Sequence, residues 1–295
     1  MTSRFHSFSA LLRRATIASA VVLGALSVAS YHRASAAEPS TASNVKPLRV
    51  CADSSYMPYS NLDGQGFENK VAAVIAQALG RKLEYHWASY RQPGGFSNFL
   101  AQDLDAGKCD VVMDLPYGDV EENYTKSYYV SSYVFVTKKN APYDITSMNS
   151  PALRTVKIGI EAGTPPEMAL KVLGLTTNIV PFDIASAPQQ SPKSMLQAVQ
   201  DGKIGVLITW QPAIGYFLKD YPDLKAIAVP SEQYAPGIPA ERFTFAMAMG
   251  VRKHDTALKQ ELDKVITDHH GEIHAILADY EVPLRPSAAV NYPGQ

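Results

Sequence analysis

Aromatic and acidic side chains follow several strand-like runs of this sequence, in loops where they could bind a ligand together. The aromatic candidates are Tyr56, Tyr59, Tyr90, Phe96, Tyr117 and Trp210, and the acidic candidates are Asp53, Asp114, Asp119, Glu121 and Glu122. Flat rings can wall a cleft for an apolar or aromatic group, and clustered carboxylates can bind a cation or a basic partner. A single ring could instead pack in the core, and a single acid could simply be solvated. The prediction of a binding cleft therefore rests on the whole set.

The elements that would position these residues are strands alternating with amphipathic helices. A strand over residues 110–113 leads into a loop with proline, glycine and several of the acids, and residues 128–138 form a long β-branched and aromatic run. Residues 106–114 and 201–209 share a Gly-Lys strand pattern, which predicts two similar α/β lobes. We expect residues 128–138 to be the first strand that crosses between them.

Mainly parallel sheets bind ligands in the crevice at the carboxyl ends of their strands. The loops expected at that edge follow Ala52, Met113, Ile160 and Ile208. The third of these loops adds Gly163 and Thr164 to the candidates, and the fourth adds Gln211.

The first 36 residues have the composition of a secretory signal peptide. Three arginines precede an apolar run over residues 15–29, and Ala34, Ser35 and Ala36 form a small-residue cleavage site. The apolar run is shorter than the roughly 20 residues that a membrane-spanning helix needs. We therefore expect cleavage near Ala36 and export of the mature chain, without membrane insertion.

Removal of residues 1–36 changes the charge balance. The full sequence has 27 basic and 28 acidic residues. The leader holds four arginines and no acid, which leaves a mature net charge of about −5. No basic run remains, and this argues against binding to nucleic acid or to an anionic membrane surface.

The two cysteines, Cys51 and Cys109, each lie in or beside a strand-like run. Export would bring them into an oxidising compartment, where a disulfide across neighbouring strands is favoured over two free buried thiols. A metal site would need further ligands close to them, and the local sequence offers none.

Catalytic and metal-binding arrangements have weaker support. His270 and His274 have the i, i+4 spacing of a shared metal site, but Gly271 is expected to break the helix between them. No histidine lies on a strand-end loop beside a serine or an acid. A dehydratase-like enzyme with Glu122 or Glu161 as general acid stays an alternative. We predict no metal, no cofactor and no catalytic residue.

Several motifs resemble the type II periplasmic solute-binding proteins of ABC transporters, in the branch that commonly binds amino acids. They are the strand and aromatic loop at 48–59, Gly-Phe-Glu-Asn at 66–69, Gly-Lys-Cys-Asp-Val-Val at 107–112 and Gly-Val-Arg-Lys at 250–253. The resemblance implies an α/β, type II periplasmic binding protein fold, in which two α/β lobes with mainly parallel sheets are joined by a two-strand hinge. It implies lobe one at 47–138 plus 243–282, lobe two at 139–242 and a C-terminal tail at 283–295, in a protein of the periplasm.

Two positions depart from the amino-acid binders of that family. Those proteins usually carry an arginine about a dozen residues beyond the aspartate of the Gly-Lys strand, where its guanidinium holds the ligand carboxylate. Counting from Asp110 places Glu122 there. They also carry an acid for the ligand ammonium after the lobe-two strand, where this chain has Thr209, Trp210 and Gln211. An amino acid would leave both its charges unpaired, so we argue against amino-acid uptake.

A closer resemblance is to the MxaJ/XoxJ group. It is carried by the two cysteines, by Cys-Asp-Val-Val-Met-Asp-Leu-Pro at 109–116, by residues 128–136 and by Trp-Gln-Pro at 210–212. Members are periplasmic-binding-like proteins encoded with pyrroloquinoline-quinone (PQQ) methanol dehydrogenases and their cytochrome c. The resemblance implies a non-catalytic accessory role in the maturation or activation of such a dehydrogenase, of the lanthanide or calcium type, with the cytochrome as a second candidate partner. A receptor for a solute other than an amino acid and the dehydratase-like enzyme are the alternatives.

Overall fold

Strands and helices alternate along the chain, as the sequence pattern predicts. A computed structural model gives the positions of residues 45–89, 95–118, 123–184, 191–232 and 241–286. All of them belong to one unit, Asn44–Gln295. The predicted signal peptide and the candidates Tyr90, Asp119, Glu121 and Glu122 lie outside the described residues.

In chain order the described strands are β1 (Leu48–Ala52), β2 (Ser55–Tyr56), β3 (Ser60–Asn61), β4 (Leu83–Trp87), β5 (Val111–Pro116), β6 (Asn123–Tyr124), β7 (Tyr129–Lys138), β8 (Ile158–Glu161), β9 (Ile179–Phe182), β10 (Val206–Trp210), β11 (Leu224–Ala228) and β12 (Thr244–Val251). The described α-helices are α1 (Phe67–Ala78), α2 (Gly95–Phe99), α3 (Pro165–Val172), α4 (Pro192–Gln200), α5 (Gln211–Leu218), α6 (Thr256–Asp268) and α7 (His270–Asp279). A π-helical segment, Leu100–Asp105, continues α2, and short 3-10 turns lie at Pro151–Arg154 and Thr176–Asn178.

The larger strands form two half-sheets that share β7. The first has the order β4-β1-β5-β12-β7, and the second continues as β7-β10-β8-β9, with β11 also paired to β7. β1 is parallel to β4 and β5, and β8 is parallel to β9 and β10. Residues 129–132 of β7 pair with β12, whereas residues 133–136 pair with β10. β7 therefore passes from one half-sheet into the other, as expected for the first crossing strand.

Each half-sheet and its helices form one lobe. The first lobe contains β1, β4, β5, β6, β12, the start of β7 and helices α1, α2, α6 and α7; the second contains the rest of β7, β8 to β11 and helices α3 to α5. The chain returns beside β7, where the backbone N–H of Tyr133 donates to Phe243 O at 2.7 Å and the N–H of Val229 donates to Tyr133 O at 3.0 Å. β7 and this returning segment give the two-strand connection. The residue boundaries of the lobes, at 138, 242 and 282, stay a prediction.

The lobes bury separate apolar cores, which explains the helical periodicity of the sequence. In the first lobe, α1 packs Phe67, Val71 and Ile75 against Met113 of β5, and each of these is at most 1 % exposed. In the second lobe, one face of the half-sheet packs on Leu153 and the other on helix α4; the buried residues there include Phe135, Leu153, Ile158, Met195, Leu196 and Leu207. Packing of this kind fixes the strand ends from which the candidate site is built.

Cys51 and Cys109 form a disulfide bond, with their Cα atoms 5.4 Å apart. The bond ties β1 to the segment that enters β5. Both cysteines are fully buried, in a cluster with Phe99, Leu104 and Val112. The predicted pairing is confirmed.

The described start of the C-terminal tail lies along β7 as an extended strap. Arg285 donates its backbone N–H to Val130 O at 2.9 Å and its Nε to the Ser132 hydroxyl at 2.8 Å. The strap thus lies along the first part of β7, next to the crossing between the lobes.

The last two helices meet at His269, whereas the sequence pattern predicted a break at Gly271. Helix α6 ends at Asp268 and α7 begins at His270, so Gly271 lies inside α7. His269 has φ −108° and ψ 18°. The prediction was wrong because a glycine in a helix costs only about 1 kcal/mol, less than α7 gains by burying apolar residues such as Ile273.

Candidate functional site

A cavity of about 480 Å³ lies between the two lobes. It is found where strands end: Asp114 lies in the second half of β5, Glu161 is the last residue of β8 and Trp210 is the last residue of β10. Two helix starts complete it, with Glu68 from the first turn of α1 and Pro165 from α3. This is the position at which parallel sheets bind ligands.

The structure brings six of the predicted residues together in the cavity wall. They are Tyr56, Tyr59, Phe96, Asp114, Thr164 and Trp210. The rest of the described lining is Glu68, Pro116, Tyr133, Glu161, Pro165, Ala213, Phe245 and Met247.

Other predicted residues shape the loops around the cavity without lining it. Asp53 accepts hydrogen bonds from the Ser55 N–H at 2.8 Å and the Ser89 hydroxyl at 2.7 Å, which fixes the loop after β1. Tyr117 packs against the ring of Tyr124, with ring centroids 5.5 Å apart.

Two more candidates belong to turns in the second lobe. Gly163 has φ 79°, a conformation that favours glycine, and donates its N–H to the Glu167 carboxylate at 2.7 Å. Gln211 is the first residue of α5. The last two candidates, Tyr90 and Glu122, lie outside the described residues.

Sequence reasoning missed Glu68 and Tyr133, and it considered Glu161 only as the acid of an enzyme. Glu68 was interpreted only as part of the Gly-Phe-Glu-Asn motif at 66–69. The available signal was that this acid directly follows Phe67, where apolar residues with helical spacing begin. Tyr133 gave no separate signal, because it sits within the long apolar run of β7.

The start of α1 is joined to the preceding loop by close backbone contacts. The N–H of Glu68 donates to Tyr59 O at 3.0 Å, and Asn69 Oδ1 accepts from the N–H groups of Gly66 at 3.1 Å and Asn61 at 3.0 Å. A Cβ atom on Gly66 would lie 1.9 Å from Tyr59 O, so this approach requires glycine. These contacts hold Tyr59 and Glu68 in the same cavity wall.

Glu68 is a buried carboxyl group without a hydrogen bond. It is 2 % exposed, and neither of its side-chain oxygens has a partner among the described residues. Burial, with the Asp114 and Asp53 carboxylates adding to it, raises the pKa of Glu68 well above its usual value. The group therefore costs free energy whenever it is ionised without a counter-charge.

Two further carboxyl groups in the wall are shifted in the same direction. Burial raises the pKa of Asp114 to about 6, although a hydrogen bond of 2.7 Å from the Tyr129 hydroxyl to Oδ1 opposes that shift. Burial also raises the pKa of Glu161 to about 7, with the Asp183 carboxylate contributing. The three acids come from both lobes.

Aromatic rings form the apolar part of the wall. Tyr56 and Tyr59 are stacked, with centroids 4.8 Å apart and planes 10° apart. Tyr133, Trp210 and Phe245 form a second group, with centroid distances of 5.4 to 6.3 Å and interplanar angles of 57° to 73°. Rings at such angles interact edge to face and form a corner of the cavity.

Residues 48–281 match the bacterial extracellular solute-binding proteins, family 3. The chain belongs to this family. The match runs from the start of β1 to just beyond α7 and confirms the predicted type II periplasmic binding protein fold. The chain is therefore grouped with the extracellular solute-binding proteins.

Relatives of this solute-binding protein are similar over most of their length. Protein MoxJ of Methylorubrum extorquens is 33% identical over 297 residues, which cover 93% of this chain and 97% of MoxJ. The crystal structure of MxaJ from Methlophaga aminisulfidivorans MPT has a TM-score of 0.69 at 29% identity, and that of the periplasmic binding protein XoxJ from Methylobacterium extorquens AM1 has 0.64 at 31%. Both cover 81% of this chain and 100% of their own. The predicted resemblance to the MxaJ/XoxJ group is confirmed.

The described lining of this family member has no cationic side chain that could pair with an amino-acid carboxylate. It contains neither lysine nor arginine. At the end of β10, where the amino-acid binders carry an acid for the ligand ammonium, the lining residue is Trp210. Glu68, Asp114 and Glu161 place carboxyl groups elsewhere in the wall, so an ammonium group would not be left without an acid, contrary to the expectation from the sequence. The cavity offers rings and carboxyl groups instead, which can surround an apolar group and can hold or release protons.

Within the described ranges, no three His, Cys, Asp or Glu side chains gather in a way that could hold a metal ion. The ring centroids of His270 and His274 are 3.7 Å apart, and His274 Nε2 lies 3.2 Å from Tyr128 O. For the part of the chain with assigned structure, no helix is long and apolar enough to cross a bilayer.

Proposed function

We propose that the mature protein works in the periplasm as a non-catalytic accessory factor of a PQQ methanol dehydrogenase, of the lanthanide or calcium type, and supports its maturation or activation. The observation that carries the proposal is the 33% identity to MoxJ over 93% of this chain. Similarity of this extent goes beyond a shared fold, which alone would say little about function.

Features of the chain support its placement in the periplasm. Residues 1–36 have the pattern of a cleaved leader. The matching family is extracellular. The buried disulfide between Cys51 and Cys109 suits an oxidising compartment.

The architecture also suits recognition of a segment of the partner. Both lobes contribute to the wall of one cavity, so whatever enters it can bias their relative arrangement. A segment of the dehydrogenase is the proposed occupant during assembly, and its cytochrome c is a second candidate partner.

Mixing the mature protein with purified apo-dehydrogenase tests this function. We expect a complex in sedimentation velocity, and a faster or fuller return of activity when PQQ and the metal ion are added. An unrelated solute-binding protein that binds an amino acid serves as control, and cytochrome c is added in a separate arm. Failure to form a complex, together with unchanged recovery of activity, would overturn the proposal.

Two variants locate the contact within the same assay. Trp210→Ala removes a ring from the cavity wall and is expected to weaken the complex. Asp220→Asn changes an exposed acid paired with Lys193 outside the cavity and is expected to leave it unchanged. Equal behaviour of the two variants would place the contact elsewhere on the protein.

A receptor for a solute other than an amino acid is the second candidate, and the formed cavity of about 480 Å³ favours it. Native mass spectrometry of the purified protein would then show a retained small molecule, and a ligand screen would raise the melting temperature. Neither signal is expected of a protein that acts only through the dehydrogenase.

A further inference from the structure

We infer that the cavity between the lobes binds an organic cation, an ammonium group carried on an apolar stem. The inference names a ligand chemistry for the cavity and holds whether or not the protein assists a dehydrogenase. It rests on the arrangement of one unpartnered carboxyl group, two further acids and a corner of aromatic rings.

Glu68 is the group that points to a positive ligand. Its carboxyl group is 2 % exposed, lines the cavity and has no hydrogen-bond partner among the described residues for either oxygen. A buried carboxylate left in this state is costly, because it has lost water without gaining another partner. A cationic ligand would supply the missing charge and the missing hydrogen-bond donors.

The other acids of the wall strengthen the same preference. Asp114 faces the cavity from β5 in the first lobe, and Glu161 faces it from the end of β8 in the second. Neither lysine nor arginine occurs in the described lining. Arg242 is exposed and does not line the cavity, although its guanidinium carbon lies 5.9 Å from the ring centroid of Phe245. The ionisable side chains of the described lining other than the tyrosines are thus all carboxylic acids.

The rings define the rest of the ligand. Tyr133, Trp210 and Phe245 form a corner at mutual centroid distances of 5.4 to 6.3 Å. Aromatic groups attract cations through the negative faces of their rings, and cages of such rings are a known solution for alkylated ammonium ions. The apolar walls would also bury a hydrocarbon stem. A hydrated metal ion would gain nothing from these surfaces, whereas an alkylammonium ion uses both.

The surroundings of the acids make binding depend on pH. Among the described residues, the titratable groups that interact with Glu68, Asp114 and Glu161 or with their neighbours are acids and phenols, namely Asp53, Asp183, Tyr56, Tyr59, Tyr85, Tyr129 and Tyr133. Raised pKa values, about 6 for Asp114 and about 7 for Glu161, mean that these groups are partly protonated near neutral pH. An ammonium ion binds their ionised forms, so its affinity should increase as the pH is raised from 5 to 8.

A pair of nearly isosteric probes tests the charge of the ligand. Benzylammonium and benzyl alcohol are titrated into the mature protein by calorimetry at several pH values. We expect benzylammonium to bind about 10- to 100-fold more tightly than the alcohol at pH 8, the range measured for interactions with a charged partner, and to lose that advantage at pH 5. Equal affinities, or no binding of either probe, would overturn the inference.

Variants assign the charge to its residue. Glu68→Gln keeps the shape of the side chain and should abolish most of the difference between the two probes, while Asp220→Asn should preserve it. If Glu68→Gln fails to fold, Glu161→Gln is the second test variant. Glu161 lies at the end of β8 and is less buried than Glu68, so its substitution is better tolerated. An unchanged preference for benzylammonium in both cleft variants would contradict the inference.

A last arm distinguishes a free solute from the side chain of a protein. The peptide Gly-Gly-Lys-Gly-Gly, acetylated at its N-terminus and amidated at its C-terminus so that the lysine carries its only charge, is compared with the same capped peptide acetylated on its lysine. Binding of the first peptide but not the second points to a lysine of a partner protein, whereas binding of benzylammonium alone points to a free amine. These binding measurements do not involve the dehydrogenase. They can therefore contradict the proposed cation site without contradicting the accessory function, and the dehydrogenase assay can contradict the accessory function without contradicting the cation site.

Discussion

The ring of Tyr216 in α5 stacks on the ring of Tyr280, which follows α7, with centroids 5.4 Å apart and planes 27° apart. This contact joins a helix of the second lobe to the end of the first lobe, away from the crossing at β7. The Tyr280 hydroxyl also donates to Gln65 O, just before α1. In addition, Ala213 of α5 packs into the core of the first lobe. The two lobes are therefore braced at α5 as well as at the hinge.

Gly215→Val should separate the lobes at this brace. A Cβ atom on Gly215 would lie 2.4 Å from Glu281 O, a backbone atom that cannot move aside cheaply. We expect a loss of roughly 1–3 kcal/mol in the free energy of unfolding and a larger radius of gyration by small-angle scattering. Gly271→Ala is the matched control, because a Cβ there meets nothing within 4 Å and alanine favours a helix. Identical behaviour of the two variants would show that the brace does not set the lobe arrangement.

The disulfide should account for a large share of the stability. Thiol titration of the denatured, unreduced protein is expected to find no free sulfhydryl group, because Cys51 and Cys109 are bonded. They are 58 residues apart, and a loop of that length predicts a loss of about 4 kcal/mol for the double change to alanine on the chain-entropy account. Urea unfolding measures this loss. Reduced wild-type protein should have the same free energy of unfolding as the double variant. A difference between the two would indicate that the alanines disturb the buried cluster around Phe99.

Much of the fold and part of the site could be predicted from the sequence, for physical reasons that differ by residue. Trp210 was found because strand ends of a parallel sheet are a general location for ligands. Asp114 was expected in a loop after Met113, whereas β5 continues to Pro116 and Asp114 lies inside the strand. Glu68 was missed because its role depends on a loop from residues 58–61 that closes over the helix start, and such contacts are set by tertiary packing. His269 was missed as a helix boundary since local propensity alone favoured the glycine two residues later.

Stability should fall as the pH rises towards neutrality, because of the acids in the cavity wall. The pKa of Asp114 is raised to about 6 and that of Glu161 to about 7, whereas both groups ionise near pH 4 in an unfolded chain. Between these values the folded protein binds more protons than the unfolded one, so the free energy of unfolding decreases with pH. The stabilisation is complete below about pH 4 and is lost as the pH passes 6 to 7. Chemical unfolding at a series of pH values measures this slope.

Glu161→Gln should flatten that pH dependence and stabilise the protein at pH 8 by roughly 1–2 kcal/mol, allowing for its partial exposure. Glu167→Gln is the control. Its pKa is lowered by hydrogen bonds from Lys171 and from the Gly163 N–H, so its removal should leave the slope between pH 5 and 7 unchanged. A wild-type stability that is flat or rises over this interval would contradict the assignment.

Among the acids outside the cavity, Asp110 is expected to contribute most to the free energy of unfolding. Its carboxylate accepts hydrogen bonds from Arg49 at 2.7 and 3.0 Å and from Arg252 at 3.1 Å, directly beside the disulfide at Cys109. Burial alone would raise the pKa of Asp110, but these hydrogen bonds lower it below its usual value. Its contribution to stability is therefore present above about pH 4 and lost as the pH falls through its folded pKa.

Asp110→Asn should reduce the free energy of unfolding at pH 7 by roughly 2–3 kcal/mol, because two guanidinium groups lose a charged acceptor. The deficit should shrink in acid, where wild-type Asp110 is itself protonated. Asp268→Asn breaks an exposed pair with Lys264 and should cause no measurable loss, as is usual for surface pairs. Because Arg49 lies in β1 and Arg252 directly follows β12, a large effect confined to Asp110 would show that one carboxylate ties both strands to the entry of β5. If Asp110→Asn lowers the free energy of unfolding no more than Asp268→Asn does, the disulfide contributes more than Asp110 to holding the entry of β5.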